Sequence, residues 1–132
     1  MITAKVREQD YGTVLFSGAH QIESDLKVEK GGQGQAMGPH DLLEAAMAAC
    51  MSITLRMAGN KHNIAIGDTT VKVSLDRSNE AVAKFCYAIE FDDVVPQDQR
   101  DRLTEILARC PVSKTISREI VMEAVSPSVM GS

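Results

Sequence analysis

The stretch Ala45–Met57 reads AAMAACMSITLRM. Alanine, leucine and methionine are strong helix formers, and the apolar run around this stretch extends from Leu42 to Ala58. Pro39 suits the first position of a helix, and Asp41 and Glu44 suit its positive end. Gly59-Asn60 predicts the stop. A helix that is apolar nearly all round has to be covered on more than one side. In a chain of 132 residues this predicts a central helix gripped by a sheet on one face and by a second subunit on the other. Ala45, Ala46, Ala48 and Ala49 would let a partner helix approach closely.

The flanks read as sheet and shorter helices. ITAKV and TVLFSG are strand candidates around EQDYG, whose Asp10 and Gly12 suit a hairpin turn. HQIESDLKVEK continues the sheet. GGQGQAMGP has four glycines in nine residues and reads as a mobile loop. In TTVKVSLDR, Val71, Val73 and Leu75 share a face; in AKFCYAIEF, Phe85, Tyr87, Ile89 and Phe91 do. VPQDQRDRLTEILARC is an amphipathic helix with Leu103, Ile106 and Leu107 inward. CPVSKTISREI restarts a helix with Pro111 at its first position, EIVMEAV reads as a closing strand, and SPSVMGS as a frayed tail. Strands, helix, strands, helices, strand, with neighbouring strands close in sequence, is the pattern of an α+β fold with a largely antiparallel sheet. The length suits one domain, residues 1–132, large enough for a core without disulfides.

Composition narrows the function. Hydrophobic residues make up 44% and charged residues 24% of the chain, as in ordinary soluble globular proteins. The net charge is −4 and no Lys/Arg cluster stands out, which argues against nucleic acid and anionic membrane surfaces as partners. The N-terminus lacks a signal-peptide pattern. Leu42–Ala58 contains Glu44 and Arg56 and is short for a membrane span. The expected location is cytoplasmic. Three cysteines there are no disulfide framework, so Cys50, Cys86 and Cys110 each need their own reading.

Taken alone, Cys50 reads as packing material, because cysteine behaves as a small hydrophobe. Cys110 differs. With Pro111 opening the next helix, Cys110 falls at its N-cap, where free N–H groups favour a thiolate. Lys114 adds positive charge nearby. Serine, threonine or aspartate would cap better, so the cysteine leans toward chemistry. Cys86 shares a strand face with Lys84 and Glu90 and reads as incidental. His20, His40, His62 and the cysteines show no metal-ligand spacing, and GGQGQAMG lacks the ending of a phosphate loop. No cofactor is expected.

PHDLLEAAMAAC, followed some sixty residues later by CPVSKT, resembles the OsmC/Ohr family of thiol-dependent hydroperoxide reductases. The resemblance implies an OsmC-like fold in which antiparallel sheets wrap central cysteine-bearing helices in an intertwined homodimer. It implies that Cys50 is the peroxidatic cysteine and Cys110 the resolving one. The substrate would be an organic hydroperoxide, and a dithiol, lipoyl or small, would restore the thiols. Met47, Met51 and Ile53 would offer an apolar lining, or simply pack the core. The sequence departs from the family at an activating pair. His40 stands where the family has glutamate, with Asp41 beside it, and no arginine stands near EQDYG, Arg7 being a few residues early. An OsmC-like binding or redox-sensing protein is therefore the alternative reading.

Overall fold

A computed structural model of the chain describes residues 1–8 and 10–131. Strands β1 (Thr3–Val6), β2 (Thr13–Ser17) and β3 (His20–Ser24) form an antiparallel sheet in that order. Its register pairs Thr3 with Phe16 and Leu15 with Ile22. Of the expected turn at EQDYG, Gln9 lies outside the described residues; within it Asp10 Oδ1 accepts the Gly12 N–H at 2.9 Å. The expected third strand ends at Ser24, and Val28–Lys30 form a 3-10 turn instead.

The glycine-rich loop that follows is tied down. Asp25, buried, accepts the Leu26 and Gln35 N–H groups, and Gly34 N–H bonds to the Leu26 carbonyl. The loop delivers the chain to helix α1, Pro39–His62. Gly38 precedes it in extended conformation, Pro39 takes the first helical position, and Asp41 Oδ2 accepts the Gly38 N–H at 2.8 Å.

The helix passes through the expected stop at Gly59-Asn60 and ends at His62, three residues after Gly59. Asn63, in the left-handed region at φ 53°, caps it, and its N–H bonds to the Gly59 carbonyl. Asparagine tolerates that conformation, so it supplies the stop. Gly59 has another role. A Cβ there would sit 2.9 Å from the Ile64 carbonyl oxygen and 3.0 Å from Ile66 Cγ2. The glycine lets the chain fold back tightly against the helix.

The returning chain forms β4 (Thr70–Asp76) and β5 (Lys84–Glu90), a separate antiparallel pair with Val73 opposite Tyr87. Val71, Val73, Phe85, Ile89 and Phe91 pack against the core, as the alternation predicts, whereas Tyr87, expected on the same face, is 39% exposed. Helix α2 (Gln97–Ala108) buries Leu103 and Leu107 completely, and Ile106 partly. They meet Met47, Met51 and Leu55 of α1 in one core. Each fully buried side chain of this kind contributes roughly 1.5–3 kcal/mol before entropy is counted. By length and composition α1 could also cross a membrane, yet this side of it is packed against β4, α2 and α3 (Pro111–Ile116).

Two expectations for the C-terminus fail. Residues 119–125 form no strand. Val121 and Met122 are 79% and 91% exposed, and a strand exists only where another strand accepts its ladder bonds. The expected frayed tail instead carries one helical turn, α4 (Pro127–Met130), started by Pro127 at its first position.

Candidate active site

Cys50 sits midway along α1, on the border between the buried side and the outer side, and is half-buried. Cys110 sits between α2 and α3. Its N–H bonds back to the Leu107 carbonyl at 3.1 Å, closing α2. Its backbone is extended and Pro111, which has no N–H, opens α3. The side chain then caps the new helix: Cys110 Sγ accepts the Ser113 N–H at 3.5 Å. The capping role read from CPVSKT is thus the one the chain adopts.

The next donor in the same turn goes elsewhere. Val112 N–H points at Cys50 Sγ, 3.4 Å away. The first turn of α3 therefore serves both sulfurs at once, and the two free thiols meet there. They differ in access. Cys110 is 1% exposed, within the core, whereas Cys50 keeps an open side.

They differ in charge preference too. Burial, foremost, pushes the Cys110 thiol above its ordinary range. The Ser113 N–H opposes this, and a hydrogen bond and charge interaction with Cys50 add to the rise. The N-cap position was expected to favour a thiolate at Cys110; desolvation outweighs it. Lys114 is exposed and has no part in the shift.

The other expected groups lie away from the thiols. Arg7 forms an ion pair with Glu23 on the first sheet. Asp41 is engaged by the Gly38 N–H. His40 is exposed at the start of α1, beside Lys27, Lys30 and Arg77. Ten residues of straight helix put it about 15 Å from Cys50 along the axis.

Of the expected apolar lining, Met51 is fully buried in the core and Ile53 is 62% exposed on the outer side of α1. Helical spacing separates them: Ile53 lies well round the helix from Met51. Met47, one turn before Cys50, borders an open groove with Val82, Lys84, Phe85, Tyr87 and Ile116. Cys86 is exposed on the outer face of β5, opposite Ser74. Among the described residues no cluster of His, Cys, Asp and Glu could hold a metal.

What sequence reading missed is the backbone of Val112 and Ser113. Their types reveal nothing, since any residue but proline carries the donor. The signal was the proline after Cys110, which places the next two N–H groups in an open first turn.

Residues 32–125 match the family model for OsmC-like proteins. No protein of curated function matches the sequence. Among solved structures, a Psychrobacter arcticus protein described as osmotic stress induced and of the detoxification response is 26% identical, with 87% of this chain and 88% of that one covered and a TM-score of 0.71. A Legionella pneumophila organic hydroperoxide resistance protein is 24% identical over 88% and 87% of the two chains, TM-score 0.62. The organic hydroperoxide resistance protein OhrB of Bacillus subtilis is 20% identical over 87% of each, TM-score 0.62.

Proposed function

This chain belongs to the OsmC-like protein family, and on that premise we propose that it is a thiol-dependent peroxidase acting on organic hydroperoxides. One observation carries the reading: two free cysteines sixty residues apart in sequence share the first turn of α3, one accessible and one buried. The accessible Cys50 attacks. Its thiolate takes the terminal oxygen of ROOH, the O–O bond breaks, and the alkoxide leaves with a proton as ROH, giving a sulfenic acid. The Cys110 thiol then condenses with it, forming the disulfide and releasing water. A dithiol reduces the disulfide and is itself oxidised to one. Val112 N–H stands where negative charge on the Cys50 sulfur would be held. The groove beside Met47 and Phe85 suits an apolar R group. A reducing compartment, the cytoplasm, fits both thiols being free.

The working unit in this reading is an intertwined homodimer. Leu43, Ile53 and Met57 are 48%, 62% and 65% exposed along one side of α1, with Ala46 and Ala49 between them. The β1–β3 sheet adds nothing to the buried core, and residues 119–125 have no strand partner. A second copy would cover all three.

A second reading has its own support. Arg7, His40 and Asp41 do not reach the thiols within one chain, which suits a binding or redox-sensing protein with little turnover. Consumption of cumene hydroperoxide with a dithiol separates the two. The native protein should outpace Cys50→Ser by orders of magnitude; equal rates would end the peroxidase reading.

A further inference from the structure

The extended backbone of Cys110 ends the ladder of α2, so the Ala108 carbonyl and the Val112 N–H, which a continuing helix would pair, are both left free. Here that carbonyl is taken by another donor: Ser113 Oγ–H bonds to the Ala108 oxygen at 2.9 Å. Val112 N–H, free in the first turn of α3, meets Cys50 Sγ. The same serine donates its own N–H to Cys110 Sγ. Its carbonyl accepts the Ser117 N–H, so the residue is held on three sides.

We propose that Ser113 is the positioning residue that keeps the Val112 N–H on the Cys50 sulfur, by tying the first turn of α3 through its hydroxyl to the Ala108 carbonyl at the end of α2. Ser113 acts on the sulfur through Val112; because it also borders the groove beside Met47, its role is read from the reactivity of Cys50 toward a small reagent and not from peroxide turnover. The inference rests on the reading of Cys50 as the attacking thiol, since only there does a donor on its sulfur affect rate. Backbone supplies the donor and a side chain aims it, so the device survives without a cation at the site.

The experiment follows alkylation of Cys50 by iodoacetamide, resolved from Cys110 and Cys86 by peptide mass spectrometry, at pH 7 and pH 10. Losing a hydrogen bond to a charged sulfur costs about tenfold in thiolate fraction. Ser113→Ala should therefore slow alkylation about tenfold at pH 7 and leave it unchanged at pH 10, above the ordinary thiol range. Ser113→Thr keeps the hydroxyl and should match the native protein. Equal rates for native and alanine proteins at pH 7 would overturn the proposal. So would equal slowing at both pH values, which reports lost access, and so would a threonine variant as slow as alanine.

If the alanine variant does not fold, the Val112 amide of the native protein decides. Its hydrogen exchange should be slowed, and Cys50→Ala should remove that protection; protection that persists refutes the proposal. Alkylation needs no hydroperoxide turnover. A native protein that consumes no peroxide but shows the pH split keeps the positioning role and loses the peroxidase reading.

Discussion

Val112 donates its backbone N–H to Cys50 Sγ at 3.4 Å, across sixty-two residues of sequence. The bond joins the first turn of α3 to the middle of α1 and brings the thiols of two separate helices to one place. Its chemical consequence is asymmetric, because Cys110 is sealed in the core and Cys50 is not.

The asymmetry predicts the fate of each cysteine variant under peroxide. Native protein treated with one equivalent of hydroperoxide should lose the mass of two hydrogens as the disulfide forms. Cys110→Ser should instead gain an oxygen at Cys50 and stall after one turnover without added thiol. Intact-mass spectrometry reads both. A mutant still forming the internal disulfide through Cys86 would contradict the assignment.

Stability should depend on pH through Cys110. Burial raises its folded value above the ordinary 9.0. The folded state then holds the proton longer than the unfolded one. This contribution is complete below the ordinary thiol value and is lost as pH rises through the raised folded value. Urea midpoints measured from pH 7 to 11 should fall in the alkaline limb, and Cys110→Ser should flatten that limb.

Gly59→Ala sets helix propensity against packing. Alanine gains about 1 kcal/mol in a helix interior. The added Cβ meets the Ile64 carbonyl oxygen at 2.9 Å, a backbone atom that cannot swing aside. Overpacking of this kind costs roughly 1–3 kcal/mol, so the variant should be less stable than the native protein. A raised melting temperature would show that the turn after α1 yields.

Leu103 is 0% exposed between α2 and α1. Leu103→Ala should cost about 2–5 kcal/mol, from lost burial and the cavity left behind. Chemical denaturation gives the value directly, and a cost under 1 kcal/mol would mean that the core collapses around the gap.

Ile53→Glu places a charge on the outer side of α1, where Ile53 is 62% exposed. It should leave helix content unchanged and convert a dimer to a monomer in light scattering. If the native protein is itself monomeric, the homodimer proposal fails.

Much of this chain is legible in local sequence. Pro39 and Pro111 start their helices where read, because a fixed φ and a missing N–H act within a residue or two. The alternation of Val71, Val73 and Leu75 set the face of β4, because a strand's side chains alternate whatever lies beyond it. Cys110 as an N-cap followed from the same local rule. The sequence by itself also determined the family, through PHDLLEAAMAAC and CPVSKT. Tertiary structure decided the rest. Gly59 looked like a stop and is a point of close approach, since its contacts come from Ile64 and Ile66 folding back. EIVMEAV has strand composition but no partner edge in the chain, and ladder bonds are not a local property. Above all, the donor to Cys50 is a backbone N–H sixty-two residues away, which only the packing of α3 against α1 could put there.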